Sequence, residues 1–190
     1  MKFSPLWFSS IFLCASLCCS VEDDFDYDYY QFEIDNLIFI EENETSFTSG
    51  DTIWINTEIP AELTDVMGDS YNLNTLTEQT ELSYHTLTLY ERTGFVNPAV
   101  ISLSESEIIV EEGLVNLSNE FITVNPIFNG SVYSSRFGVV LNATGEYYFA
   151  SYYDTNKNEI YLDSNNNTQV YIETTINESN SNNQYEFLVE

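Results

Sequence analysis

One stretch of the chain has the residue types and the spacing of a calcium ligand set. In DTNKNEIYLDSNNN, at 154–167, Asp154, Asn156 and Asn158 occupy alternate positions. Asp163 begins a second alternating set. Calcium prefers carboxylate and amide oxygens, and a turning backbone directs alternate side chains inward. The candidate metal ligands are therefore Asp154, Asn156, Asn158 and Asp163, and calcium is the cofactor that this stretch suggests.

The same stretch also has a purely structural interpretation. Glu159 occupies the position at which the helix–loop–helix calcium motif needs glycine, and the flanking sequence has no helical pattern. The same residues could form two Asn-rich turns on either side of a short strand at 160–162. The sequence leaves both alternatives open, a calcium site and a domain without any cofactor.

Tyrosine offers a second kind of binding chemistry. The chain has 14 tyrosines, and Tyr147, Tyr148, Tyr152 and Tyr153 fall within one candidate strand at 146–153. Exposed tyrosines can stack on sugar rings, which makes glycan binding an alternative function. Aromatic residues also favour strands and bury large areas. Because these tyrosines alternate between both faces of a strand, some of them must be buried.

Catalysis finds little support in the sequence. His85 is the single histidine, so a Ser-His-Asp triad would have to use it. It lies within the strand-like sequence LSYHTLTLY, and the chain has no nucleophile-elbow sequence. Paired carboxylates can hydrolyse glycosides, but 31 acidic residues offer too many pairs to single one out. We expect a non-enzyme, with a hydrolase as the weaker alternative.

Short strands must position these residues, because apolar and polar residues alternate along much of the chain. In TIWINTEI, Ile53, Ile55 and Ile59 lie on one face, and 169–176 and 185–189 alternate in the same way. Further candidate strands are 31–40, 82–91, 106–110, 120–128, 132–141 and 146–153.

Turn signals separate these strands. Asn129-Gly130 predicts a hairpin, and the segment 60–81 predicts a loop or a short helix starting near Pro60. Many short strands in one domain predict an all-β fold, an antiparallel β-sandwich over residues 31–190. The Gly50-Asp51 turn resembles a strand start in bacterial immunoglobulin-like domains, so an immunoglobulin-like sandwich is one option. A small β-barrel is the alternative.

The charge of the chain restricts its partners. It has 31 acidic and four basic residues, a formal net charge of −27. Nucleic acid is excluded as a partner, because binding it requires lysines and arginines that neutralise phosphates. Such an acidic composition favours a hydrated, soluble surface.

The beginning of the chain is typical of an export signal. Lys2 precedes an apolar run at 6–17, and the cysteines are Cys14, Cys18 and Cys19. The run is too short and too interrupted by serines for a bilayer-spanning helix. Since the body contains no cysteine, neither disulfides nor a cysteine-based zinc site can support it.

This arrangement resembles a bacterial lipoprotein signal, in which a peptidase cleaves before a cysteine that then receives lipid. The resemblance implies a signal peptide at 1–18, lipidation of Cys19, a tether at 19–30 and a membrane as partner. Acids at 22–24 resemble a surface-export signal of some Gram-negative groups. We therefore expect an outer-membrane lipoprotein exposed at the cell surface, with periplasm-facing or secreted forms as alternatives. Its domain is expected to be a binding or structural module with a glycan or protein partner outside the cell.

Overall fold

The structure is a computed structural model, and it describes residues 28–65, 67–78, 82–94, 97–164 and 167–190. The expected signal peptide, Cys19 and most of the expected tether lie outside these residues. Within them the chain is almost entirely β-structure, as the alternating sequence predicts. No helix of the described part is long and apolar enough to cross a membrane.

The elements, in chain order, are β1 (Asp28–Glu33), β2 (Ile38–Ile40), β3 (Ser46–Phe47), β4 (Thr52–Pro60), β5 (Glu62–Thr64), β6 (Ser70–Asn72), α1 (Leu73–Leu76), β7 (Leu82–Glu91), β8 (Ala99–Val100), a 3₁₀ turn (Glu105–Glu107), β9 (Ile108–Glu112), β10 (Leu114–Leu117), β11 (Ile122–Asn125), β12 (Ile127–Phe128), β13 (Val132–Val140), β14 (Gly145–Ala150), β15 (Asn158–Asp163), β16 (Thr168–Thr174) and β17 (Tyr185–Val189).

Two open sheets form the body of the fold. The larger sheet has the order β1-β16-β15-β7-β14-β17-β3, and it also contains β8, β10 and β11. The smaller sheet has the order β12-β13-β4-β2, with β9 also paired to β13. Most pairs are antiparallel, but β1 pairs with β16, and β17 with β3, in parallel. The fold is therefore a β-sandwich of open sheets, as predicted, and not the alternative closed barrel.

The core lies between the two sheets. From the smaller sheet Ile53, Ile55 and Phe137 point inward, and from the larger sheet Leu87 and Phe149 meet them. All five are at most 1% exposed. Burying each such side chain contributes roughly 1.5–3 kcal/mol. The alternation that buries these residues sends their neighbours on the larger sheet to its outer face, where the candidate site lies.

Local boundaries differ from the expectations where turns intervene. The predicted strand 31–40 is two strands, since Asn36 adopts a left-handed conformation with φ of 64° between them. Within 60–81 the helix begins at Leu73, not near Pro60, because the Asn72 side chain accepts a hydrogen bond from the Thr75 backbone and caps it there. The first strand begins at Asp28, inside the expected tether.

The predicted hairpin is present between β12 and β13, but its centre is shifted by one residue. The Asn129 backbone donates to the Val132 carbonyl at 3.0 Å, so Gly130 and Ser131 are the central residues. Gly130 supplies the positive φ, 105°. Asn129 instead accepts a hydrogen bond from the Ser131 amide through its side chain, which is the local turn bond that asparagine favours.

Candidate functional site

A pocket of about 370 Å³ opens on the outer face of the larger sheet. We call it the tyrosine pocket. Residues of β7 and β15 form its floor. The turn after β14, at 151–155, and Phe121, which precedes β11, form its wall. Among the described residues that line it, the apolar ones are aromatic and none is aliphatic. The residues around it are Tyr84, His85, Thr86, Phe121, Ser151, Tyr152, Tyr153, Thr155, Lys157, Glu159 and Tyr161.

The aromatic wall is held in place by ring contacts. Tyr152 packs edge-on against Phe121 with centroids 4.8 Å apart, and tilted against Tyr153 at 4.6 Å. The Tyr152 hydroxyl donates to Glu120. Tyr153 is 81% exposed, so its ring projects into solvent at the pocket rim. A large ring that contributes so little to the core is available for a ligand.

The turn that carries this wall is anchored from beneath. Tyr90 and Tyr148 stack on each other at 5.0 Å under the turn. The Tyr90 hydroxyl donates to the Tyr152 carbonyl at 2.7 Å, and the Tyr148 hydroxyl donates to the Asp154 carboxylate at 3.2 Å. The Thr155 amide closes the turn onto the Ser151 hydroxyl at 2.9 Å. The pocket wall is therefore built before any ligand arrives.

A line of four tyrosines leads away from the pocket across the sheet. We call it the tyrosine row, and it consists of Tyr84, Tyr161, Tyr171 and Tyr29. Register pairs Tyr161 with Tyr84 on one side and with Tyr171 on the other. Successive ring centroids lie 5.3, 5.2 and 6.5 Å apart. Four strands thus present one continuous aromatic line on the outer face.

The charged side chains near the pocket all have neighbouring partners. The Lys157 ammonium lies 2.9 Å from the Asp35 carboxylate and 3.2 Å from that of Glu33. The hydrogen bond to Asp35 raises the pKa of Lys157 and correspondingly lowers the pKa of Asp35. The Tyr161 hydroxyl donates to the Glu159 carboxylate at 2.8 Å. Burial, together with Glu159, raises the pKa of Tyr161, so its hydroxyl stays protonated.

The four candidate calcium ligands do not converge. Asn156 is exposed in a loop, while Asn158 and Asp163 are the two ends of β15. Five residue steps along a strand separate those ends by roughly 17 Å. Asn158 is buried, where it donates to the Thr86 carbonyl and accepts from Asn183. Calcium binding by these residues stays a prediction.

Asp154 has a different place from the one its spacing suggested. One carboxylate oxygen accepts from Tyr148, and the other accepts from the Gln184 amide at 2.8 Å. It adopts a left-handed conformation with φ of 51°, which aspartate tolerates in turns. Among the described residues, no group of three acidic, histidine or cysteine side chains is arranged to hold a metal. In this arrangement Asp154 anchors the wall of the tyrosine pocket.

The predicted tyrosine cluster divides between core, anchor and site. Tyr147 lies on the inner face and packs with Phe187, while Tyr148 belongs to the buried pair beneath the turn. Tyr152 and Tyr153 lie beyond the strand, which ends at Ala150, and form the pocket wall. Only these two of the four tyrosines belong to the site.

His85 is buried within the sandwich. Its Nε2 lies 2.8 Å from the Thr57 hydroxyl of the facing sheet. Burial lowers the pKa of His85 to about 3. Although His85 is one of the residues that line the tyrosine pocket, it is 0% exposed and bonded to Thr57, which does not suit the base of a triad.

Sequence reasoning missed the members of the site that come from distant segments. Tyr84, Tyr161 and Tyr171 each alternate with buried residues, so their outward direction was readable from the sequence. Their adjacency depends on β15 lying between β7 and β16, which local alternation does not reveal. Tyr29 joins the row only because β1 pairs with β16 in parallel.

Comparisons with known proteins give neither a family nor a close relative. No family model and no curated protein matches the chain. Solved structures with a similar course include a non-cellulosomal cohesin from the hyperthermophilic archaeon Archaeoglobus fulgidus, with 12% identity over 83% of this chain and 92% of that one and a TM-score of 0.36. Another is the human F-spondin reeler domain, with 8% identity over 86% and 95% and a TM-score of 0.39. What the pocket binds must therefore be inferred from its own side chains.

Proposed function

We propose that this protein is a lipid-anchored, non-catalytic domain that binds uncharged carbohydrate at the cell surface. The observation that carries this proposal is the tyrosine pocket, a preformed cavity with aromatic walls and polar edges. Its volume of about 370 Å³ is in the range of small-ligand sites.

The chemistry of the lining suits a sugar. A sugar ring has C–H faces that pack on aromatic rings and hydroxyls that need hydrogen-bond partners around its edge. The rings of Tyr84, Tyr152 and Tyr153 can pack on the C–H faces of a sugar, and the Thr86 hydroxyl at the pocket edge can bond one of its hydroxyls.

The charge distribution favours an uncharged ligand. The three basic residues of the described chain all have acidic partners, with Arg92 beside Glu186, Arg136 beside Glu41 and Lys157 beside Asp35. A phosphate or an acidic glycan would meet a strongly negative surface without an unpaired cation. Near the pocket, the Asp35 carboxylate is paired with Lys157, and the Glu159 carboxylate accepts a hydrogen bond from Tyr161.

The anchor is the part of the proposal that rests on sequence alone. The junction ending at Cys19 resembles a lipoprotein signal, and the acids after it resemble a surface-export signal. Two or three acyl chains hold a protein on a membrane firmly. A short tether followed by a binding domain is an arrangement that keeps a glycan near the cell.

The test is native electrophoresis of residues 20–190 through gels that contain uncharged polysaccharides: xylan, galactomannan, hydroxyethylcellulose, a β-1,3-glucan or starch. We expect at least one of them to retard the wild-type domain. Tyr153→Ala should weaken the apparent affinity for that polysaccharide by roughly 3- to 10-fold, because its ring packs on the ligand. Leu188→Ala, at an exposed residue on the same sheet, should leave the affinity unchanged.

Salt separates sugar binding from charge-driven binding. Retardation by an uncharged polysaccharide should be the same at low and high sodium chloride, because no ion pair is formed with the ligand. Absence of retardation in every gel would refute carbohydrate binding. Retardation that Tyr153→Ala does not weaken would show that the tyrosine pocket is not the binding site.

A further inference from the structure

The tyrosine row continues the tyrosine pocket across the outer face of the larger sheet. Tyr84 belongs to both, and Tyr161, Tyr171 and Tyr29 follow it on β15, β16 and β1. The row crosses three strand intervals, roughly 14 Å. The repeat of an extended glycan chain is close to the spacing of neighbouring strands, so successive sugars would meet successive tyrosines.

The rings of the row are exposed more than packing alone requires. Tyr29 is 58% exposed, and the other three are half-buried against each other. Because side chains on a sheet face stand upright, their ring edges and hydroxyls form the outer surface. Burial raises the pKa of Tyr171 as it does that of Tyr161, so both hydroxyls stay protonated, and both are hydrogen-bonded to Glu159.

Polar groups accompany the rings along the row. Gln31 and Gln169 point outward beside Tyr29, and Glu173 follows Tyr171 on the same face. Amides and carboxylates of this kind bond the hydroxyls of a sugar chain. The carboxylate nearest the pocket, Glu159, already accepts from Tyr161, which leaves a surface suited to an uncharged chain.

We propose that the ligand is an extended, uncharged glycan of several units that runs from the tyrosine pocket along the tyrosine row, with Tyr29 as the outermost subsite. This inference rests on the proposed carbohydrate function and adds the length and direction of the ligand. It also makes β1, the strand nearest the tether, a part of the binding surface.

The experiment is calorimetric titration of residues 20–190 with a chain-length series, from the monosaccharide to the hexasaccharide, of the polysaccharide that retards the domain. We expect affinity to rise with each unit until the row is filled. Tyr29→Ala and Tyr171→Ala should each weaken hexasaccharide binding by roughly 3- to 10-fold, the effect of one aromatic contact.

The shortest oligosaccharide that binds serves as an internal control for folding. Its affinity should be unchanged in Tyr29→Ala and Tyr171→Ala, since it occupies the pocket alone. Leu188→Ala should leave every chain length unaffected. Equal affinity for all lengths, or hexasaccharide binding that neither variant weakens, would overturn the extended site and leave the pocket standing. Failure of every oligosaccharide to bind would refute the carbohydrate function itself.

Discussion

The position of His85 in the pleated strand buries its side chain and so makes a catalytic role unfavourable. It alternates with the outward residues Tyr84 and Thr86, so it faces the core, and its exposure is 0%. Its Nε2 is bonded to Thr57 of the opposite sheet, which makes it a polar cross-link between the two layers. Hydrolysis through His85 is not supported by this geometry, although the residue type alone allowed it.

Burial of His85 should make the stability of the fold depend on pH. Its folded pKa is about 3, below the unfolded value of about 6.5. The unfolded state therefore binds more protons, and stability is lost as pH falls from about 6.5 towards 3. Between pH 7 and pH 5 the loss should be about 2 kcal/mol.

Urea denaturation at pH 7 and pH 5 measures this effect, with His85→Gln as the comparison. Glutamine can keep a hydrogen bond to Thr57 but does not titrate. The paired acids Asp35, Glu41 and Glu107, whose pKa values are lowered, act at lower pH and are common to both proteins. If the free energy of unfolding changed equally in wild type and His85→Gln between the two pH values, the interpretation of His85 would be wrong.

At the scale of elements, alternation predicted most strands but not their neighbours. The segments 82–91 and 132–141 became β7 and β13 nearly as expected, because each has one apolar face and ends at a turn. The tyrosine row depends instead on the order β1-β16-β15-β7, in which residues far apart in sequence become adjacent. Local sequence patterns do not specify strand order, so the tyrosine row could not be predicted from the sequence.

The turn after β14 gives a test at this scale. Tyr90→Phe removes the hydroxyl that donates to the Tyr152 carbonyl, a bond of 2.7 Å. We expect a loss of about 1 kcal/mol of unfolding free energy, the usual effect of deleting one such bond. Hydrogen exchange at the Thr155 amide, which is bonded to Ser151, should become faster because the turn opens more often.

Tyr153→Phe is the matched control for Tyr90→Phe. It deletes the same hydroxyl from an 81% exposed neighbour, so stability should stay within about 0.5 kcal/mol. Exchange at Thr155 should also be unchanged. Equal effects of the two substitutions would show that the buried pair does not anchor the turn.

At the scale of the whole molecule, the parts have separate tasks. The smaller sheet supports the core, the outer face of the larger sheet carries the site, and the proposed anchor holds both near a membrane. The strong negative charge lies on a surface whose three described cations are paired. Such a surface repels nucleic acid and anionic lipid headgroups, which agrees with the proposed uncharged ligand.

The anchor is tested by mass spectrometry and fractionation of the protein expressed in a Gram-negative host. We expect an amino terminus at Cys19 that carries acyl chains, and a protein in the membrane fraction. Cys19→Ser should abolish lipidation and release the protein, whereas Cys18→Ser should leave it anchored. A mature amino terminus without acyl chains, or dependence on Cys18 in place of Cys19, would contradict the proposed anchor.

The parallel pairing of β1 with β16 has a mechanical consequence. β1 begins beside the beginning of β16, where the Asp28 amide donates a hydrogen bond to the Asn167 carbonyl at 3.1 Å. If the chain is tethered there and the domain grips a polymer, tension draws β1 lengthwise along its neighbour. The backbone bonds of that pair are then loaded together in shear, so they resist rupture better than bonds peeled apart one at a time.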